Sequence, residues 1–187
     1  MRLLFIADGR SPIALNWIRY FIDQGHEVHL ASTYACHPVT GLASLTVVPV
    51  AFSGLKKGTA TQSLPGSTGQ AESRPKDLSS LGTVGLRTTM RQWLGPLTLR
   101  STARRLQGLI RQLQPDLVHA MRIPYEGMAA ALAQPAAPLL ISVWGNDFTL
   151  HASSTPLMDR LTRQALQAAD ALHADCRRDL RLAAEYG

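Results

Sequence analysis

Lysine is almost missing from this sequence. Lys56, Lys57 and Lys76 are the only three among 19 basic residues, so arginine carries the positive charge. Acid is scarcer still, with 13 Asp and Glu against those 19, a formal net charge of +6. Charged residues make up 17% of the chain, below the ~25% usual in globular proteins. The imbalance points to anionic partners without saying which. Cysteine is reduced to Cys36 and Cys176, far apart and in no C-x-x-C pair. That excludes a disulfide framework and a spaced zinc site, and fits two reduced thiols in a cytosolic protein. Long apolar runs are lacking too. The N-terminal run is cut at Asp8-Gly9, short of the ~7–15 residues of a signal-peptide core. Nothing approaches the ~20 needed to cross a bilayer. The expectation is a cytoplasmic protein, at most peripheral to the inner face of a membrane.

What is present is enough for a core: 45% hydrophobic residues in 187, about one domain's length. Arg2–Ala7 reads as a buried strand, broken by Asp8-Gly9-Arg10-Ser11-Pro12. Ile13, Trp17, Ile18, Phe21 and Ile22 then recur at helical spacing. Ser11 is placed to cap that helix, Pro12 fits its first turn, and Gly25 ends it. Strands follow at Glu27–Ser32 and Leu45–Val50. Sixteen of the thirty residues 53–82 are Ser, Thr, Gly or Pro. Such a stretch reads as a flexible loop, either a surface insertion or a binding element. A mostly helical region covers Leu86–Gln114, then a strand at Leu117–Ala120 and a helix at Tyr125–Ala133. A strand at Leu139–Val143 leads into a turn at Trp144-Gly145-Asn146-Asp147. A helix at Leu157–Ala168, a short strand at Ala171–Ala174 and a last helix at Arg177–Tyr186 complete the chain. Strands alternating with helices predict an α/β fold: a doubly wound, Rossmann-like parallel sheet with helices on both faces.

Ligands of such sheets bind beyond the carboxyl ends of the strands. The rule selects Asp8, Gly9, Arg10 and Ser11, then His119 to Arg122, then Trp144 to Phe148. Gly9 before a helix N-terminus suits a phosphate, but it equally suits a tight turn. No G-x-G-x-x-G is present and the second strand ends at Ala31-Ser32 without an acid, which disfavours a nicotinamide dinucleotide. His119 can be a general base, although a hydrogen-bonded core histidine is favoured because no catalytic partner is identifiable nearby. Asp147 can orient a sugar hydroxyl or accept its proton, or else cap the next segment. Trp144 can stack on a sugar or simply pack. His26 with His29, and Cys36 with His37, lack metal-ligand spacing, so no metal is expected. No G-x-S-x-G supports a serine hydrolase. Between Leu78 and Pro115 lie Arg87, Arg91, Arg100, Arg104, Arg105 and Arg111 and no acid, interleaved with leucines. This is either a solvated basic face or a surface for an anionic membrane, with no motif for nucleic acid.

Several of these stretches, taken in order, resemble a known family. They are Leu3-Leu-Phe-Ile-Ala-Asp-Gly-Arg-Ser-Pro12, Trp17-Ile-Arg-Tyr-Phe21 and Gly25-His-Glu-Val-His-Leu-Ala-Ser32, then Pro115-Asp-Leu-Val-His-Ala120, Ser142-Val-Trp-Gly-Asn-Asp-Phe148 and Ala168-Ala-Asp-Ala-Leu-His-Ala174. The set is similar to the start of family 4 glycosyltransferases, retaining enzymes of the two-domain GT-B architecture. The resemblance implies that residues 1–187 form the N-terminal, acceptor-binding domain. A C-terminal domain, not contained in this sequence, would hold most of the nucleotide-sugar donor, and the isolated fragment is expected to be inactive. Gly9 and Arg10 would then face the donor diphosphate. His119 and Asp147 would be the catalytic residues, with Trp144, Gly145, Arg122 and Ser11 binding the acceptor, a sugar or a lipid-linked sugar. The nucleotide-sugar is a co-substrate, and no cofactor is implied. Membrane-associated relatives add weight to a membrane-facing role for Arg87, Arg91, Arg100, Arg104 and Arg105. Two departures from the pattern stand out: Met121 and Ile13 occupy positions where many members carry histidine. Two other readings remain, a non-catalytic lipid- or phosphate-binding module and half of a GT-B nucleotide-sugar epimerase.

Overall fold

A computed structural model describes residues 1–50 and 98–186. The loop expected at 53–82, the first part of the helical region from Leu86, and Arg87 and Arg91 lie outside the described residues.

The first strand, β1 (Arg2–Ala7), is buried at every position after Arg2. An unalternating run of this kind belongs to a strand covered on both faces. The helix α1 (Pro12–Asp23) starts where Ser11 Oγ accepts from the Ala14 amide at 3.4 Å, with proline in its first turn. It stops at Gly25, whose φ of 78° is the left-handed conformation that glycine adopts freely. The chain then runs through β2 (Glu27–Ser32) and β3 (Ser44–Val47). Beyond the undescribed stretch come α2 (Leu99–Leu113) and β4 (Leu117–Ala120). After an irregular turn, α3 (Met128–Ala133) leads to β5 (Leu139–Val143). A wide π-type turn at Asp147–Ala152 precedes α4 (Pro156–Ala168), β6 (Ala171–Ala174) and α5 (Arg177–Tyr186).

The six strands among the described residues form one parallel sheet in the order β3-β2-β1-β4-β5-β6. This is the doubly wound order of a Rossmann-like domain, and the strand sequence reverses between β1 and β4. Side chains alternate between two cores. Leu3, Phe5, Val28 and Leu30 meet Ala14 and Ile18 of α1 on one face. Leu4, Ile6, Val118 and Ile141 meet Leu106, Ile110, Met128 and Met158 of α2, α3 and α4 on the other. Fully burying each such aliphatic side chain contributes roughly 1.5–3 kcal/mol.

Two elements differ from the sequence reading. The third strand is Ser44–Val47 rather than Leu45–Val50, although Val48 and Val50 remain buried. The helix expected at Tyr125–Ala133 begins only at Met128, because Tyr125 has φ 68° and ψ −55°. That backbone is a γ-turn, which cannot extend a helix.

Candidate functional site

The carboxyl edge of the sheet holds a pocket of about 270 Å³ at the β1/β4 reversal. It is lined by Asp8 and Ser11 after β1, Tyr34 after β2, Met121, Arg122, Pro124, Tyr125 and Glu126 after β4, Trp144 after β5, and His151. One carboxylate organises its floor. Asp147 is 1% exposed and receives four hydrogen bonds. Arg122 donates to Oδ1 through Nη2 at 2.9 Å and Nε at 3.3 Å, while the amides of Trp144 and Ile123 donate to Oδ2 at 3.1 and 3.2 Å. Asp147 therefore staples the loop after β4 to the loop after β5. Burial works against the charge of Arg122. The Asp147 carboxylate, its hydrogen bond and the nearby Glu126 outweigh that effect and hold the guanidinium pKa above its ordinary value.

Arg122 begins a tight reversal. The amide of Gly127 donates to Arg122 O at 2.8 Å, and a Cβ at Gly127 would lie 2.9 Å from that same oxygen. Pro124 and Tyr125 complete the turn, with Tyr125 at positive φ although buried. A bulky residue held in this conformation costs on the order of 1–3 kcal/mol and persists only where surrounding contacts impose it. Its effect is to bring Glu126 to the pocket wall. Glu126 is 5% exposed, and the Thr33 hydroxyl donates to its Oε1 at 2.9 Å.

The loop after β1 is equally constrained. The Gly9 amide donates to Ser32 Oγ at 3.0 Å, and a Cβ there would come 2.5 Å from Cys36 Sγ. Arg10 is clamped by Asp8, with Nε to Oδ1 at 2.9 Å and Nη2 to Oδ2 at 2.8 Å. Its Cζ also lies 3.6 Å from the centre of the Tyr34 ring. A second, more open groove of about 980 Å³ runs between α1 and residues 35–41, with Arg10, Leu15, Arg19, Cys36 and His37 among its lining. The smaller pocket is the stronger candidate. It sits at the strand reversal, where open α/β sheets bind ligands, and buried charged groups converge on it.

A comparison with protein families matches residues 9–187 to the glycosyl transferase 4-like domain. The chain belongs to that family. No curated protein matches it.

In this glycosyl transferase 4-like domain, the residues expected at the site divide into two groups. Ser11, Arg122 and Trp144 do line the pocket, and Asp147 lies beneath it. Gly145 is at the adjoining turn, where its carbonyl accepts from Arg178 Nη2 at 2.9 Å. Gly9 and Arg10 border the larger groove instead, and the Gly9 amide is already taken by Ser32. His119 is in the core beneath α1, 2% exposed, hydrogen-bonded to Ser142 Oγ at 2.8 Å. The rings of Phe5 and Trp17 pack on it with centroids at 5.1 and 5.6 Å. Burial, with a smaller contribution from His173, lowers its pKa to about 4, so the imidazole is neutral at neutral pH. The alternative of a hydrogen-bonded core histidine describes this environment, and the structure does not bring His119 to the pocket.

Thr33, Tyr34, Tyr125, Glu126 and His151 were not singled out from the sequence. Pro124 and Gly127 flanking Tyr125-Glu126 were the available signal, since both interrupt a helical reading. The exposed residues Arg100, Arg104 and Arg105 lie on α2, away from the pocket. Among the described residues no group of three or more His, Cys, Asp and Glu is arranged to hold a metal ion. Among them also, no helix is long and apolar enough to cross a membrane.

Proposed function

We propose that this domain binds the acceptor of a glycosyltransferase that moves a sugar from a nucleotide-sugar to a sugar or lipid-linked sugar. Family membership supports a glycosyltransferase-type function. The observation that carries the acceptor role is the pocket at the β1/β4 reversal, where Trp144, Tyr34, Arg122 and Glu126 converge. Aromatic faces suit the apolar face of a sugar ring, and the charged groups suit its hydroxyls. In the transfer, the bond from the anomeric carbon to the leaving phosphate breaks and a bond to the acceptor oxygen forms. The hydroxyl proton leaves with the departing nucleotide or to solvent. The donor diphosphate would approach Arg10, whose side chain is 54% exposed and oriented by Asp8. In this reading Asp147 positions Arg122 and Trp144 rather than exchanging a proton, because four donors already occupy its oxygens.

The test is incubation of the full-length protein with a panel of nucleotide-sugars and sugar acceptors, read by mass spectrometry. An acceptor heavier by one sugar residue supports the proposal. Interconversion of the nucleotide-sugar without acceptor indicates an epimerase and overturns it.

A membrane role for α2 accompanies this reading. Arg100, Arg104, Arg105 and Arg111 are all exposed on α2, and the helix contains no acid. Each basic residue near an anionic bilayer contributes about 1 kcal/mol. Such a face would hold the domain where a lipid-linked acceptor resides.

A further inference from the structure

A small cleft between α2 and α3 gathers arginines that the chain leaves without a counter-charge. Its volume is about 180 Å³, and it is lined by Arg100, Ala103, Arg104 and Gln107 of α2 and by Leu132 of α3. The four α2 positions recur at i, i+3, i+4 and i+7, so they form one stripe along the helix. Arg100 and Arg104 are exposed and stand one turn apart on it. Elsewhere Arg2, Arg10, Arg122 and Arg163 each pair with a carboxylate. Arg100 and Arg104 pair with none among the described residues. The helix that carries them contains no acid, and α3 opposite contains no charged residue of either sign. Like charges at this spacing repel, and an anion between them removes that cost. Gln107 closes one end of the cleft. Its Nε2 donates to Ala133 O at 3.4 Å, which ties the side chain across to α3 and leaves the second amide hydrogen for a ligand. A volume of this size is roughly that of six waters. It admits one phosphate group and leaves the remainder of a larger ligand outside.

We infer that this cleft binds a phosphate monoester, gripped by Arg100 and Arg104 with Gln107 beside them. Such a group carries about −1.5 to −2 charges at neutral pH, enough to answer both guanidiniums, whereas a carboxylate answers one. The planar fork of arginine matches phosphate oxygens two at a time. The phosphate belongs to a lipid headgroup or to a soluble phosphorylated compound. Either source differs from attraction by diffuse charge, which would use Arg105 as readily as Arg104. Arg105 is exposed on the same helix but does not line the cleft. The inference is independent of the acceptor pocket.

The experiment is an NMR titration of the ¹⁵N-labelled full-length protein with inorganic phosphate, with sodium chloride holding the ionic strength constant. The Nε–H signals of Arg100 and Arg104 and the amide of Gln107 are expected to shift together, and that of Arg105 to stay in place. Arg104→Gln should weaken phosphate binding on the order of tenfold, while Arg105→Gln should leave it unchanged. Both positions are exposed, and retained amide dispersion shows that the variants fold. A second arm follows flotation with phosphatidylcholine vesicles containing phosphatidic acid, with and without inorganic phosphate. Flotation that phosphate competes away supports the site with a lipid headgroup as its ligand. Phosphate binding without flotation supports it with a soluble ligand and removes the membrane role of α2. No shift with phosphate, shifts at Arg105 equal to those at Arg100 and Arg104, or undiminished binding by Arg104→Gln overturns the inference.

Discussion

Asp147 accepts four hydrogen bonds from two loops, and that sets what its loss should do. Asp147→Ala removes four hydrogen bonds and leaves Arg122 half-buried without its main counter-charge. Unfolding in urea should show a loss of about 2–3 kcal/mol, below the ~3–5 for a fully buried pair because Arg122 is partly exposed. Gly9 makes a different kind of prediction. A methyl group there would overlap Cys36 Sγ, so Gly9→Ala should destabilise by roughly 1–3 kcal/mol. Adding Cys36→Ala should recover part of the loss. The glycine was legible in the sequence as a loop residue next to a helix, but its reason was not. Its neighbours Ser32 and Cys36 arrive from β2 and the segment beyond, and no local pattern announces that approach. His119 shows the same limit. Its place at the end of an apolar strand was legible, whereas the Trp17 and Phe5 rings that cover it come from α1 and β1. Its lowered pKa has a measurable consequence. The folded state holds the neutral imidazole, so stability is full above the unfolded value near 6.5 and falls as pH drops towards about 4. The loss across that window is up to about 3 kcal/mol. His119→Gln should flatten that part of the urea-midpoint profile relative to the native protein. Parallel profiles would contradict the assignment.

At the scale of elements, strands and capped helices were the readable part. Leu3-Leu-Phe-Ile6 runs without alternation because β1 is central and covered on both sides. The helix read at Leu157–Ala168 is α4, which in the structure begins one residue earlier at Pro156, where Thr155 Oγ1 accepts from the Met158 amide at 3.1 Å. Thr155→Ala should therefore cost about 1 kcal/mol, seen as a lower thermal midpoint. The turn at Ile123–Gly127 announces itself in sequence only through Pro124 and Gly127, which do not give its shape. What fixes its conformation is the grip of Asp147 on the Ile123 amide and of Arg122 O on the Gly127 amide. Both are settled by tertiary packing. The helix α2 carries its own test. Replacing Arg100, Arg104 and Arg105 together by Gln should abolish salt-sensitive flotation with vesicles containing anionic lipid and leave the helical circular dichroism unchanged. Equal flotation of the substituted and native proteins would remove the membrane role.

For the whole molecule, the alternation of strands and helices along the chain specifies the fold class, and the β1/β4 reversal follows from the strand order. The sheet edge that carries the pocket was thus legible, and Ser11, Arg122 and Trp144 line it as the strand-end rule expects. Glu126 and Tyr34 were not legible, because their positions depend on a strained turn and on the path of the chain after β2. Among the described residues, the small pocket and the larger groove are both concave, and the small pocket is the proposed acceptor site. Steady-state transfer by the full-length protein, at saturating donor and varied acceptor, separates them. Trp144→Ala, in the small pocket, should raise the acceptor KM on the order of tenfold, while Arg19→Ala, in the larger groove, should leave it unchanged. An unchanged acceptor KM in Trp144→Ala beside a raised one in Arg19→Ala would contradict the account.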